Sequence, residues 1–454
     1  MSGEEIGTIV LALSILIVSV HGLGFLMENL RQPRLVGEIL AGVLLGPFFL
    51  GKMFPDVWTK IFGISGGGPN KIDTVLGFIY WIGLFLLMFI SGSETRKLVS
   101  RENRRDATWL LGIGTPLPFF LVLGLGLWNL LPIHLLSTSP EQETSTLLVL
   151  AIAVAVTSIP VISRIFYDLK ILHTRFAGLI LSSAVLEDII LWGVLAVATS
   201  ITGVKAQNLV QENLVSHVAL HVGKTFLYMG LGLTFMPHLL KRLHGAKWNF
   251  LLKASPIGYL FFILFIYATI AGMMDVNLVF AAFLAGFGVV GGIGGNERTR
   301  FSDHLDSIAR VACGIFVPLY FAMVGYKLLF GREFSFALLL IFLFGSSILS
   351  LFSVGLAARL AGFRKLDIVN LAITTNARGG PGIVLASIAY DAGIINSAFY
   401  TTLVLTAVLT SQAAGAWLRF VLSKGWPLLS SAPQETWSLS LGGIPTDLED
   451  LIKK

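Results

Sequence analysis

The chain is built from apolar stretches of about 20 residues joined by short polar segments, a pattern that few folds accept. In hydrocarbon every backbone N–H and C=O must be satisfied within the protein, so such stretches fold as helices packed side by side. Composition agrees: 55% of the 454 residues are hydrophobic and 13% are charged, against roughly 25% charge in a soluble protein. The expected fold class is all-α and polytopic in a membrane. One large soluble protein of buried helices fits the charge content poorly. The start, MSGEE, is acidic where a secretory signal is basic, so the first apolar stretch is expected to remain as a span. With one cysteine, Cys313, neither an internal disulfide nor a cysteine metal cluster can form. The net charge of +6 fits basic cytoplasmic loops better than nucleic-acid binding. No cofactor is expected.

Thirteen spans are expected, at 6–28, 34–51, 73–93, 107–132, 144–163, 176–202, 216–239, 255–273, 277–295, 308–328, 335–361, 366–390 and 398–420. With the N-terminus outside, the joints ENLRQPR, ETRKLVSRENRRD, LKRLHGAKWNFLLK and NERTR fall inside together with the C-terminal tail. Most of the 32 Lys and Arg residues then lie inside, as the positive-inside rule requires, while only Arg378 is expected within the membrane.

Two spans are irregular. The fifth offers LLVLAIAVAV and then TSIP at 157–160, a clean apolar run that covers about half a hydrocarbon core at 1.5 Å per residue. The twelfth reads IVNLAITT, NARGGPG at 376–382 and IVLASIAY. Pro160 lacks a backbone donor, and Asn376, Gly379, Gly380 and Pro381 interrupt the twelfth, so each span is expected to break near the midplane. GEILAGVLLGP at 37–47 and GLFLLMFISGSE at 83–94 are weakly echoed by VFAAFLAGFGVV at 279–290 and VPLYFAMVGYK at 317–327. Each pair precedes its broken span by two spans. Such a pattern suggests inverted-topology repeats around a midplane site, as in secondary transporters.

Charge points to what that site handles. LSSAVLEDIILW at 181–192 places Glu187 and Asp188 side by side in an apolar span. A charge at a bilayer centre costs about 2.5–3.5 kcal/mol on insertion scales, so two acids need a partner, a proton or a task. Asp188, Thr157 and Ser158 offer the oxygens that hard monovalent cations prefer, beside the backbone carbonyls of a broken helix. A half-desolvated carboxylate also holds a proton readily, so one site can serve cation and proton in turn. Glu187 has two readings: paired with Arg378 it keeps its charge and one carboxylate handles transport, whereas if it titrates the exchange moves net charge. Pairing is the expected one, because an unpaired arginine at mid-depth is costly and no other intramembrane acid is expected nearer.

TSIPVISR, SSAVLEDIILWGVLA, GEILAGVLLGP and NARGGPGIVLA, in this order, resemble the monovalent cation/proton antiporter superfamily over residues 6–420. The resemblance implies the Na+/H+ antiporter-like fold, with two crossed broken helices, and a homodimer in the cell membrane. It implies a transport core from residues 107–202 and 333–424, dimerisation helices from 1–106, and a linker helix with further dimerisation helices from 203–332. Residues 425–454 would be a short cytoplasmic tail. It also implies an elevator movement of the core, with Asp188 carrying the cation, Na+ or K+, or the proton. Arg378 matches the arginine that electroneutral members keep beside the second break. The chain departs from the pattern in having Glu187 before the key aspartate. It also departs in carrying Ser346, Ser347 and Ser350, where members with paired aspartates have a lysine. A potassium efflux antiporter served by a separate regulatory subunit and a cation channel remain as alternatives.

Other features carry less. GFGVVG at 286–291 fits a dinucleotide-binding pattern but has no preceding strand, and helix packing explains it better. His21 and Glu38 read as packing and hydrogen-bonding groups, and Glu94 and Asp391 as interfacial. An aspartyl protease needs its acids on facing elements, while Glu187 and Asp188 stand about 100° apart on one helix.

Overall fold

A computed structural model describes residues 2–30, 32–62, 71–98, 109–158, 161–162, 165–166, 169–171, 174–206, 214–246, 248–291, 298–330 and 334–430. The described residues are almost wholly helical, and their β content is one isolated bridge, Ser137 to Ile395. Within the expected spans the helices are α1 (Gly3–Asn29), α2 (Arg34–Leu45), α3 (Lys71–Leu98), α4 (Pro116–Leu127), α5 (Glu143–Ala155), α6 (Arg175–Ala206) and α7 (Leu214–Gly230). They are followed by α8 (Pro256–Met273), α9 (Leu278–Gly291), α10 (Val317–Tyr326), α11 (Phe336–Leu360), α12 (Lys365–Thr375), α13 (Gly379–Asp391) and α14 (Ser397–Ser423). Each stretch expected to span contains one of these helices, the twelfth containing two. Among the described residues, eight helices are long and apolar enough to cross a membrane by length and composition.

The repeat motifs explain how the helices pack. Glycines let backbones approach where lipid gives no hydrophobic drive between helices. A Cβ at Gly42 of α2 would strike the carbonyl of Ala322 in α10, and one at Gly325 of α10 would strike that of Ile39 in α2. The same reciprocity joins α3 to α9: Gly92 meets the Phe283 carbonyl and Gly286 meets the Phe89 carbonyl. The first motif of one half therefore packs on the second motif of the other half, twice. Gly286 belongs to GFGVVG, whose glycines serve packing, as expected.

The remaining helices gather around the two interruptions. α4 packs on α5, α5 on α6, α11 on α12, and α13 on α14. The loop before α5 and the loop after α13 hold one another: Asn396 N–H donates to the Leu136 carbonyl at 3.0 Å and the Thr146 hydroxyl to the Ile394 carbonyl at 2.9 Å. The chain segment after α14 folds back on α12, where the Ser430 N–H and hydroxyl donate to the buried Asp367 carboxylate at 2.7 and 3.0 Å.

Two expectations are corrected. The interruption of the twelfth span is Asn376–Arg378, and Gly379, Gly380 and Pro381 form the first turn of α13. A first helical turn has no intrahelical partners for its N–H groups, so glycine and proline cost little there. Arg378 is also not the only base within a span: Lys224 lies in α7 and pairs with Asp275 at 3.2 Å.

Gly286→Ala is expected to cost about 1–3 kcal/mol, because its methyl group meets fixed backbone. Gly77→Ala, which faces open space in α3, should leave stability unchanged or slightly raised. Thermal unfolding of the two purified variants in detergent checks the contrast.

Candidate ion-binding site

α5 stops at Ala155, and Val156 turns to an extended conformation with φ −71° and ψ 137°. The non-helical residues 156–158 then cross the second interruption, Asn376–Arg378. Two hydrogen bonds hold the crossing: the Ser158 N–H donates to the Ala377 carbonyl at 2.8 Å, and the Thr157 hydroxyl donates to the Thr375 carbonyl at 2.9 Å. Both interruptions thus satisfy backbone groups that a broken helix frees in a medium without water. Gly379 has φ +36°, and a side chain there would run into Ser158 Oγ and Val161. Glycine is therefore required where α13 starts against the other interruption. The α13 N-terminus is capped from α14, with the Gly379 N–H donating to Ser411 Oγ at 3.0 Å and the Arg378 N–H to Thr410 Oγ1 at 3.4 Å. The carbonyl ends of α5 and α12 and the N–H end of α13 meet here, so partial charges of both signs converge at one point.

Glu187 reaches this point from α6. It is 6% exposed, and its Oε1 accepts from Thr115 Oγ1 at 2.7 Å and lies 3.3 Å from Thr157 Oγ1. A hydroxyl has a single proton, so Thr157 serves either the Thr375 carbonyl or Glu187 at one moment. Thr115 follows a π-helical turn, Leu110–Gly114, that opens the backbone before α4, and Ser353 of α11 donates to the Gly114 carbonyl at 2.9 Å. Such turns in transmembrane helices often mark functional positions.

Arg378 does not pair with Glu187. Its Nη1 donates to Ser346 Oγ of α11 at 2.7 Å, and its guanidinium lies over the Phe342 ring, 5.6 Å from the centroid. Neither Glu187 nor Arg378 has an ion-pair partner among the described residues. Nε and Nη2 of the buried Arg378 have no hydrogen-bond acceptor among those residues. Beside it, Asn376 Nδ2 donates to Ser347 Oγ at 3.1 Å. The serines of α11 therefore hold the second interruption in place, which is where their side chains find polar partners.

The backbone of Asp188 lies in α6, next to Glu187. Its side chain and the whole of Pro160 lie outside the described residues. Thr157, Ser158, Glu187, Asn376 and Arg378 are brought together; His21 and Glu38 are elsewhere, both joined to Arg34, with Glu38 Oε1 3.2 Å from its Nε. Sequence reasoning missed Thr115, Thr410 and Ser411. The signal for Thr115 was a hydroxyl directly before Pro116 inside an apolar span; Thr410 and Ser411 gave none, since hydroxyls are common along α14.

A cavity of about 610 Å³ opens beside the crossing. One wall is Met88, Ser91 and Phe321, the other Gly380, Pro381 and Val384, and Glu28, Gln32, Arg34 and Arg419 stand among its polar lining. Val161, whose N–H meets Ser158 Oγ at 3.4 Å, belongs to the same lining. Among the described residues no cluster of three or more His, Cys, Asp or Glu could hold a metal ion. Among the described residues, hydroxyls, carbonyls and the Glu187 carboxylate stand at the crossing beside Asn376 and the Arg378 guanidinium, and these oxygens are of the kind that a weakly held hard cation takes.

The profile of a family described as "Sodium/hydrogen exchanger, transmembrane" matches residues 13–424. Cation/H(+) antiporter 18 of Arabidopsis thaliana is 26% identical over 411 residues, covering 88% of this chain and 47% of the relative. K(+)/H(+) antiporter 1 of Saccharomyces cerevisiae is 25% identical, covering 84% of this chain and 42% of the relative. The chain spans about half the length of these relatives. Na(+)/H(+) antiporter NhaS4 of Synechocystis is 24% identical and is matched over 94% of its length and 89% of this chain. Among solved structures, the sodium proton antiporter MjNhaP1 from Methanocaldococcus jannaschii superposes with a TM-score of 0.62 over 92% of this chain and 99% of that one, at 14% identity. It is thus similar to this chain in fold. With crossed interruptions and a family match that runs through nearly every helix, the chain is a multi-pass membrane protein of the sodium/hydrogen exchanger family.

Proposed function

We propose that the chain exchanges a monovalent cation, Na+ or K+, for protons across the membrane, binding each in turn at the crossing of the two interrupted spans. The observation that carries this reading is the convergence of Thr157, Ser158 and Glu187, with the α6 backbone of Asp188 next to it, on paired, non-helical backbone beside a cavity. Alternating access needs such a site, reached from one side at a time. Asp188 is the shared ligand: it binds the cation when ionised and carries a proton otherwise. Thr157 and the backbone around it supply further oxygens. The helices around the crossing, within 107–202 and 333–424, form the moving core, and those within 1–106 and 203–332 form the frame through which two copies pair. The cell membrane, with the N-terminus outside and the C-terminus in the cytoplasm, is the setting that the distribution of basic residues supports.

Purified protein in liposomes with a trapped pH dye, challenged with each cation in turn, tests the activity directly. Asp188→Asn keeps the shape of the side chain and removes its charge, so cation-driven proton movement should vanish while the protein stays monodisperse. Retention of half the wild-type flux would remove Asp188 from the role.

Thr157→Val loses the hydroxyl that ties the crossing to Thr375. Apparent cation affinity should fall about tenfold, with a smaller effect on maximal rate. An unchanged affinity would exclude Thr157 as a ligand.

Glu187, without a counter-charge among the described residues, is the second proton carrier, so exchange moves net charge. Wild-type liposomes should develop a cation-driven membrane potential, and Glu187→Gln should abolish the potential while exchange continues. A wild-type protein that generates no potential, measured with a voltage-sensitive dye and no ionophore, would overturn this assignment.

A further inference from the structure

The cavity lies between α3 and α10 on one side and α13 on the other, and the same helices close together further along. From Met88 to Tyr80 on α3, Phe321 to Lys327 at the end of α10 and Val384 to Asp391 on α13, six to eight residues separate cavity from contact, roughly 9–12 Å of helix. At the far end Asp391 receives two partners at once: Tyr80 donates its hydroxyl to Oδ2 at 2.6 Å, and Lys327 Nζ sits 2.6 Å from Oδ1. The same Nζ lies 4.0 Å from the centroid of the Tyr80 ring. One ammonium thus bridges a carboxylate and an aromatic face. Beneath this cluster the buried Tyr320 hydroxyl donates to Ser387 Oγ at 3.3 Å, and Tyr400 of α14 donates to the Val324 carbonyl at 3.0 Å. Apart from the contact of Lys327 with the Tyr80 ring, which lies within the proposed frame, each of these contacts joins a helix of that frame to a helix of the proposed core.

The two ends of this seam differ in chemistry. At the cavity end the frame presents Met88 and Phe321, which have no directional bond to Gly380, Pro381 or Val384 across the gap. At the far end the side chains of Lys327 and Asp391 are 26% and 21% exposed. A charge pair that is screened from water on most sides but reachable by it is strong enough to hold and weak enough to release. Sliding α13 past α3 and α10 must break it, because both partners of Asp391 stand on the other side of the seam.

We propose that Tyr80, Lys327 and Asp391 form a latch that holds the seam shut on the side away from the cavity, and that its release is what admits ions to the site from that side. The inference rests on the alternating-access reading above. The latch fixes which side is open in the resting protein and sets the free energy of the other state. A ligand or substitution shifts such an equilibrium only through a difference in contacts between the two states. The latch supplies that difference at a place remote from the ion ligands.

The experiment places a reporter cysteine at Val384 in a Cys313→Ser background and measures its modification by a membrane-impermeant thiol reagent, added separately to each face of oriented vesicles. Lys327→Met should raise the rate from the latch face about fivefold or more and lower the rate from the cavity face. Tyr80→Phe, which removes one hydrogen bond and keeps the ring, should shift both rates in the same direction by a smaller factor. The reversed pair Lys327→Asp with Asp391→Lys should return both rates to those of the reporter alone, although Lys327→Asp by itself raises the latch-face rate. Latch-face rates within twofold of the reporter alone for both Lys327→Met and Tyr80→Phe, or no recovery in a monodisperse reversed pair, overturn the latch. Failure of the exchange reading is distinguishable, since it would appear as absent proton flux in wild-type liposomes whatever the labelling rates.

Discussion

Pairing between two stretches of non-helical backbone is the contact on which the centre of this protein depends. A helix interrupted within a bilayer frees N–H and C=O groups that hydrocarbon cannot satisfy, and an isolated interruption would be costly. Here the freed groups answer one another: the Ser158 N–H meets the Ala377 carbonyl, and the Thr157 hydroxyl meets the Thr375 carbonyl. Surrounding serines and threonines of α11 and α14 accept from Asn376, Arg378 and Gly379. Neither interruption could persist at that depth without the other.

The closeness of that crossing demands rigid support, and the glycine contacts of the frame provide it. Gly42 against Ala322 and Gly286 against Phe89 bring helix backbones into contact, and Gly83 of α3 lies against Phe316 and Tyr320 at α10, which ties α2, α3, α9 and α10 together. Packed interiors resist continuous deformation, so displacement is expected along the seam between this unit and the helices of the crossing. That seam is where the cavity opens and where Asp391 meets Lys327 and Tyr80. Rigidity on each side and weak contact between the sides are the physical requirements of the alternating access proposed above.

Much of the architecture was legible in the sequence because membrane helices announce themselves by length and apolarity. The helices fall where the apolar stretches predict them, and the weak echo between the halves is realised as two reciprocal glycine contacts. The interruptions were also legible, through TSIP and NARGGPG, although the second begins earlier than its glycines suggested. The partners of Glu187 and Arg378 were not, since the expected pairing of the two is absent. That pairing was inferred by elimination, as the joining of a buried acid to a nearby base. Elimination failed because it counted charges and left out hydroxyls: Thr115 and Thr157 meet Glu187, and Ser346 with the face of Phe342 meets Arg378.

Sequence by itself determined that the chain must be a bundle of membrane helices, that two of them break, and that acidic and hydroxyl side chains lie at the depth of those breaks. These are properties of composition and order along one dimension, where apolar length and the placement of proline and glycine suffice. Tertiary structure alone decided which hydroxyl serves which charge, which glycines touch, and which side chains meet Asp391. Partners such as Thr115 and Glu187, or Tyr80 and Asp391, are 72 and 311 residues apart in sequence. Their pairing follows from how helices cross within a few ångströms, and residue type carries no record of that distance.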